Sequence, residues 1–229
     1  MALSERQKLI LRTLIKEYVK SAQPVASGIL VEKYHLDISP ATARNELMFL
    51  EEEGFIYQPR TSAGRVPKEV AYFLDLEESG SKKRDLKNSD KEFLFKALKA
   101  DGSNLKPAAR ALAELSGNAV FWAFHKNDLY HTGLSNLFVQ AEFKQTEIAC
   151  DVSQVIDRME EIIDGLFNEL PEGTQTFIGS NNPFGNFLGT VILKYKRQGV
   201  SGLCGILGPL RMDYAHNLSL LNYLQEHFK

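Results

Sequence analysis

One segment, residues 39–54, combines small, polar and charged side chains in a pattern suited to hydrogen bonding with nucleic-acid bases. At 100° per residue a helix over this segment has two faces. The apolar face holds Ala43, Leu47 and Leu50, and the opposite face holds Ala41, Thr42 and Asn45, with Arg44 on the border. Asparagine and arginine can each make paired hydrogen bonds to base edges in the major groove. The pattern therefore predicts a recognition helix that approaches DNA with its N-terminal half.

A second candidate contact is the turn-rich segment QPRTSAGRVP, residues 58–67. Arg60 and Arg65 flank Thr61, Ser62, Ala63 and Gly64. Hydroxyl groups, free backbone N–H groups and two guanidinium groups suit phosphate contacts or insertion into a minor groove. A solvated hairpin tip explains the same composition, so the loop alone does not decide between the two interpretations.

The elements around these segments follow one order. Ser4 and Gln7 fit a capping box that begins a first helix, and a short second helix is predicted over residues 27–34. Ser39 caps the third helix, Pro40 occupies its first position and Gly54 ends it. A strand at residues 55–57 then leads into the basic loop. Three helices, a strand and a basic loop predict a winged helix-turn-helix domain over residues 1–76.

Residues 77–92 contain a single apolar side chain, Leu86, and are predicted to be a linker. The remainder, residues 93–229, alternates strand and helix patterns. Two leading helices are predicted at about 91–100 and 105–116, strands at NAVFWAFH, TQTFIG, GTVILKYK and SGLCGIL, one amphipathic helix through Val155 and Leu166, and a closing helix through Leu221 and Leu224. The predicted fold class is therefore α+β.

Other classes of site find little support. Glycines recur every third residue at positions 199, 202, 205 and 208, which does not match a phosphate-binding GxGxxG loop and favours close strand packing. The five histidines and two cysteines lack metal-ligand spacing, and Cys150 and Cys204 are expected to be core residues. We therefore expect no cofactor, no metal and no enzymatic activity. With no signal peptide or membrane-span pattern, we expect a cytoplasmic protein.

Charge leaves an alternative open. Residues 1–76 hold ten Lys and Arg and ten Asp and Glu residues, and the whole chain has a formal net charge of −2. DNA binding therefore depends on how the charges are sorted onto faces and not on overall basicity. Winged-helix units also serve as protein-interaction modules, so such a module, or a regulator that responds to a ligand or chaperone without strong DNA binding, is the alternative to a repressor.

At the level of whole segments the sequence resembles the HrcA family of heat-inducible transcription repressors. The resemblance lies in residues 3–27, 38–56 and 58–67, and in the distant segments GLSNLFVQAEF (133–143) and GILGPLRMDYAHNLSLLNYL (205–224). It implies a winged helix-turn-helix domain followed by a reduced GAF-like domain. It also implies homodimers that repress chaperone operons at an inverted-repeat operator called CIRCE, with the chaperonin GroEL promoting the active form. A further expectation is that warming unfolds or aggregates the C-terminal domain before the N-terminal domain.

Carried over to this chain, the resemblance implies DNA contacts in three places. The third helix contributes Ser39, Pro40, Thr42, Arg44 and Asn45, the wing contributes Arg60, Thr61, Ser62, Gly64 and Arg65, and Ser27 at the start of the second helix contacts a phosphate.

The chain departs from the family pattern in three respects. Gly28 stands where members usually carry arginine, and KEVAYFLDL (68–76) replaces a stretch rich in tyrosine and arginine. Only AFHKNDLYHT (123–132) joins Trp122 to Gly133, where most members carry an insert that contributes to dimerisation. We therefore expect this chain to dimerise by another route or to bind DNA differently.

Overall fold

A computed structural model describes residues 3–79, 85–100, 104–125, 128–144 and 146–228. Contacts between Cα atoms divide the chain into two compact units, Met1–Ser81 and Lys82–Lys229, here called the N-terminal and C-terminal units. The boundary falls inside the predicted linker, of which residues 80–84 lie outside the described residues. Helix covers both ends of that linker, because one helix continues to Ser79 and the next begins at Asn88.

Four helices and a small hairpin make up the described part of the N-terminal unit. They are α1 (Glu5–Ser21), α2 (Ser27–Tyr34), α3 (Pro40–Glu52), β1 (Ile56–Tyr57), β2 (Val66–Pro67) and α4 (Glu69–Ser79). Ser4 and Gln7 form the predicted capping box at the start of α1. Gly54, just beyond α3, has a φ of 82°, a left-handed conformation that glycine adopts without a steric penalty.

The hairpin is tied to the segment that precedes α2. Strands β1 and β2 pair antiparallel, with Tyr57 opposite Val66. Beyond this pair, Arg65 and Val25 form an isolated antiparallel bridge. The bridge has two hydrogen bonds, from Val25 N to Arg65 O (2.9 Å) and from Arg65 N to Val25 O (2.8 Å). The loop between the strands, residues 58–65 and here called the hairpin loop, is therefore anchored at its C-terminal end.

The C-terminal unit is built on a five-stranded antiparallel sheet with the order β4-β3-β7-β6-β5. Its strands are β3 (Ala119–His125), β4 (Asp128–Thr132), β5 (Gly173–Ile178), β6 (Leu188–Arg197) and β7 (Val200–Pro209). The helices are α5 (Asn88–Lys99), α6 (Lys106–Ser116), α7 (Leu134–Phe138), α8 (Thr146–Asp157), α9 (Met159–Glu169) and α10 (Tyr214–Glu226). This arrangement confirms the predicted α+β class and is consistent with a GAF-like domain.

Both faces of the sheet are covered. One face carries a buried cluster to which α7, α8 and α9 contribute Leu137, Val152 and Ile163. The opposite face packs against α6 and α10. There Trp122 is fully buried and its Nε1 donates a hydrogen bond to the hydroxyl of Tyr195 (2.7 Å). Burial of the phenol raises the pKa of Tyr195 above its usual range.

The predicted packing role of the glycine run is confirmed at three positions of β7. A Cβ atom added at Gly202 would meet the Tyr195 ring, and one added at Gly205 would meet the Phe121 ring, each within 2.6 Å. At Gly208 the nearest atom would be Oδ1 of Asn118, at 2.2 Å. Aromatic and amide side chains therefore lie directly on the backbone of β7, in space that any other residue would fill.

Several sequence expectations differ from the fold; helix α4, for example, was not predicted. Strand β4 was not predicted, although it lies in the short segment 123–132 and forms a hairpin with β3. The single amphipathic helix is two helices, α8 and α9, separated at Arg158. Cys204 is buried as expected, but the prediction for Cys150 is wrong because this residue is exposed. It lies two positions from both Ile148 and buried Val152, which places it on the outer face of α8.

Among the helices of the described ranges, none combines the length and the apolarity that crossing a membrane requires.

Candidate nucleic-acid interface

The N-terminal half of α3 presents the polar face expected from the sequence. Ser39 caps the helix, since its Oγ accepts a hydrogen bond from Thr42 N (3.0 Å). The apolar residues Ala43, Leu47 and Leu50 are buried against the rest of the unit. On the other side Ser39, Pro40, Arg44 and Asn45 are exposed and Thr42 is half-buried. The two hydroxyl groups of Ser39 and Thr42 are 2.9 Å apart.

Two buried carboxylates fix the helices behind this face. Glu46 of α3 binds α1 through an ion pair with Arg6 and a hydrogen bond from Gln7 Nε2 (3.1 Å). Glu17 of α1 binds α2, accepting hydrogen bonds from Lys33 and Tyr34 at 2.7–2.8 Å. These two hydrogen-bond donors, Lys33 first, hold the pKa of Glu17 below its usual range. Burial, and then the bond to Glu17, raise the pKa of Tyr34 to about 12.

The hairpin loop exposes its tip. Arg60, Thr61 and Ser62 are all exposed, and Ser62 has a φ of 66°, which closes the turn. Two hydrogen bonds hold the loop in shape: Ala63 N donates to Arg60 O (2.9 Å), and Gln58 Nε2 donates to Ala63 O (2.8 Å). A guanidinium and two hydroxyls therefore project from a loop whose backbone is internally bonded.

Position 64 requires glycine because the backbone of Pro24 and Val25 passes close to its Cα atom. A Cβ atom built on it would lie 2.4 Å from the carbonyl carbon of Val25 and 2.6 Å from that of Pro24. These are backbone atoms of the segment that bridges to Arg65, so they cannot rotate away. A hydrogen at position 64 is what allows the hairpin loop to lie against the start of α2.

The side chain of Arg65, a predicted DNA contact, is largely buried and paired with a carboxylate. Its side chain is 15% exposed, and Nε lies 2.8 Å from Oε2 of Glu51. Within the described residues Nε makes no directed hydrogen bond, so this contact is an ion pair without hydrogen-bond geometry. Oε1 of the same carboxylate accepts a hydrogen bond from Gln58 N (2.9 Å). Glu51 thus joins the end of α3 to both sides of the hairpin loop.

The sequence analysis assigned no role to Glu51, which lies at the opposite end of α3 from the predicted base contacts. One signal was available. A carboxylate in the last turn of a helix faces the negative end of the helix dipole, which disfavours it. An acidic residue there, ahead of a basic loop in the sequence, is a candidate for an ion pair with that loop, although the pattern does not distinguish Glu51 from Glu52 and Glu53.

Some of the predicted contact residues line one cleft of about 390 Å³ inside the N-terminal unit. Its lining includes Ser27, Arg44, Ser62, Gly64 and Arg65. The other predicted residues lie outside the cleft lining, with Ser39, Pro40, Thr42 and Asn45 on or beside the exposed face of α3 and Arg60 and Thr61 at the loop tip. Apolar residues, among them buried Val25 and Leu47, also line the cleft. Its two arginines and two hydroxyl side chains are of the kinds that contact a phosphate backbone.

Two distant segments that resemble the HrcA family meet in the C-terminal unit. Arg211, after β7, forms an ion pair with Glu142 and donates from Nη2 to Gln140 Oε1 (2.7 Å). Asn136 of α7 donates to the carbonyls of Ala113 and Asn118, each at 3.1 Å. Arg211, Glu142 and Asn136 thus hold separate elements of this unit together. Within the described part of the chain no group of histidines, cysteines and carboxylates could hold a metal ion.

The chain is similar to several known proteins. It is 44% identical over 121 residues to the heat-inducible transcription repressor HrcA of Natranaerobius thermophilus, a match that covers 51% of this chain and 35% of that protein. The corresponding repressor of a Roseiflexus species is 54% identical over 70 residues, which are 31% of this chain and 20% of that protein. The matched parts thus span about a third or less of the curated relatives.

A crystal structure of a hypothetical protein superposes with a TM-score of 0.82 at 18% identity, covering 99% of this chain and 98% of the other. That likeness establishes the shared fold alone. The family model described as the HrcA protein C-terminal domain matches residues 65–217, which is more than half of the chain. This chain therefore belongs to the HrcA family.

Proposed function

We propose that the chain is a sequence-specific DNA-binding transcription repressor whose N-terminal unit acts as a winged helix-turn-helix. The observation that carries the proposal is the exposed polar face at the start of α3, which adjoins a cleft shared with the hairpin loop. A recognition helix and a wing need that juxtaposition, because one reads base edges while the other contacts the backbone alongside.

In this proposal α3 enters the major groove with Asn45 and Arg44 toward the bases. The tip of the hairpin loop lies on the adjacent backbone or minor groove. The start of α2 contacts a phosphate: its N-cap, Ala26, offers no side-chain hydrogen bond to the first turn, so backbone N–H groups beside Ser27 remain to bind an anion.

The biological role is inferred from the relatives, which are named heat-inducible transcription repressors. We infer that this chain represses chaperone genes at an inverted-repeat operator of the CIRCE type, that it acts as a homodimer and that a GroEL-type chaperonin promotes its active form. Two copies would present α3 to major-groove faces about 34 Å apart, or a multiple of that distance. A bound dimer would then exclude polymerase from the promoter.

Asn45→Ala tests base reading. We expect it to cost about 1–3 kcal/mol on the matched operator and to relax base choice at one position, because alanine cannot make the paired hydrogen bonds. Gel-shift titration of both proteins on matched and scrambled duplexes measures this. An equal loss on both duplexes would rule out base reading by Asn45, and failure of the unmodified chain to prefer the operator would favour a protein-interaction module instead.

Gly28→Arg tests the departure from the family pattern beside the cleft. A Cβ atom at position 28 meets nothing within 4 Å, so a longer side chain fits, and the new guanidinium can reach a phosphate next to Ser27. We expect operator binding to tighten about tenfold at low salt, with a slope of log affinity against log salt that is steeper by about 0.9.

The matched control is Gly28→Ala, which provides the same gain in helix propensity without the charge. An arginine variant that binds with the affinity and salt slope of the alanine variant would show that no phosphate lies at this position.

A further inference from the structure

Glu51 differs from its two acidic neighbours. Glu52 and Glu53 are exposed, whereas Glu51 is half-buried and holds two groups of the hairpin loop. All three lie at the end of α3, where the helix dipole disfavours a negative charge. The compensation for Glu51 comes from the Arg65 guanidinium on one side and the Gln58 N–H on the other.

These contacts span the base of the hairpin loop. Gln58 is its first residue and Arg65 its last, so one carboxylate binds both ends. Gln58 then reaches along the loop to Ala63 O, and Arg65 continues into the bridge with Val25. The loop is thus attached to α3 at one point and to the segment before α2 at another, which leaves little freedom for its angle to α3.

We propose that Glu51 is a positioning residue for DNA recognition: it sets the angle between the hairpin loop and α3 and orients Arg65 along the wall of the cleft. This inference rests on the proposed function. A helix in the major groove and a loop on the neighbouring backbone can bind together only if their spacing matches the duplex. Glu51 contributes that spacing although its own charge repels phosphate.

The charge of Glu51 and its hold on the hairpin loop have opposite effects on DNA binding, so a substitution can distinguish them. If Glu51 acted only through its charge, neutralising it would strengthen DNA binding, as neutralising exposed Glu52 should. If Glu51 holds the hairpin loop, neutralising it releases Arg65 and weakens binding. Glu51→Gln keeps the side-chain length and an oxygen for the Gln58 N–H, and so removes the ion pair while sparing that hydrogen bond. Glu52→Gln is the matched control on the same helix end.

We expect Glu51→Gln to bind operator duplex about tenfold more weakly than the unmodified chain, and Glu52→Gln to bind equally or slightly more tightly. Arg60→Ala removes a contact at the tip of the hairpin loop. In that background Glu51→Gln should reduce DNA affinity much less, because the contact that a displaced loop would lose is already absent. Hydrogen exchange of the Val25 and Arg65 amides, measured without DNA, should be faster in Glu51→Gln alone.

The outcomes separate the two proposals. Equal binding and equal amide exchange in the Glu51→Gln and Glu52→Gln variants, with an unmodified chain that binds the operator, would overturn the positioning role and leave the proposed function intact. An unmodified chain that binds no duplex would overturn the proposed function, and the positioning role in DNA recognition with it. Melting curves of both variants show whether a loss of DNA binding is due to unfolding. If Glu51→Gln is unfolded, Glu51→Asp, which keeps the charge, takes its place, and the positioning role then predicts that it recovers part of the DNA binding.

Discussion

Replacing Gly64 with alanine is expected to weaken operator binding about hundredfold, equivalent to about 2.7 kcal/mol. The added methyl group would lie 2.4 Å from the Val25 carbonyl carbon, and a backbone atom of a bridged segment cannot turn aside. The hairpin loop must therefore move away from α2, which breaks the two hydrogen bonds between Val25 and Arg65. The cleft widens, and the loop and α3 no longer fit one duplex together.

Gel-shift titration measures the loss, and Gly28→Ala is its matched control. Gly28 lies three residues from Val25 but has open space around it, so alanine there should leave DNA binding unchanged and stabilise α2 slightly. Overpacking at position 64 should also lower the free energy of unfolding of the N-terminal unit by about 1–3 kcal/mol. A Gly64→Ala variant with unchanged affinity would mean that the hairpin loop makes no contribution to binding.

Two helices of the N-terminal unit, α1 and α3, could be predicted closely because their signals are local, whereas α4 was not predicted. The Ser4–Gln7 capping box, the Ser39–Pro40 start and the Gly54 stop each act within a few residues. Cap chemistry is independent of the rest of the fold, so the observed bounds of α3 agree with those expected from sequence.

The elements that could not be predicted from the sequence depend on contacts between distant residues. Strand β4 is only five residues long, and its pairing with β3 defines it as a strand. No proline or glycine marks the break at Arg158 between α8 and α9, so the apolar periodicity runs through it.

The candidate site shows the same division. The exposed face of α3 follows from periodicity, whereas the contact from Glu51 to Arg65 crosses fourteen positions and requires the hairpin register to be known. Gly64 was expected to contact DNA, yet its need for glycine comes from the backbone of Val25, a contact that no local pattern reveals. Periodicity thus predicts which side chains face outward, but it does not predict which distant residues contact each other.

A change at Gly205 should have the largest effect on the C-terminal unit. Gly205 of β7 pairs directly with Phe121 of β3, and the Phe121 ring lies across it. A Cβ atom there would meet the ring Cζ at 2.2 Å. The ring is buried and packs against Phe184 at 5.3 Å between centroids, so it has little room to move. We expect Gly205→Ala to lower the free energy of unfolding of this unit by about 3 kcal/mol.

Differential scanning calorimetry checks the prediction. For a unit of this size the midpoint should fall by roughly 2–4 °C per kcal/mol, while the transition of the N-terminal unit stays in place. Gly165→Ala is the control in the same unit. Gly165 is exposed inside α9 with open space around it, so alanine there should raise stability by about 0.5–1 kcal/mol. If Gly205→Ala lowers the stability of the unit and Gly165→Ala raises it, the loss at Gly205 is due to side-chain packing and not to a change in backbone entropy.

The pair also tests how heat acts on the proposed repressor. If warming releases DNA by unfolding the C-terminal unit first, Gly205→Ala should lower the temperature at which operator binding is lost, and Gly165→Ala should raise it. Adding Phe121→Leu to Gly205→Ala should recover part of the stability, because the shorter side chain vacates the space that the methyl group needs. Operator release at the same temperature in all three variants would place the heat-sensitive element outside this sheet.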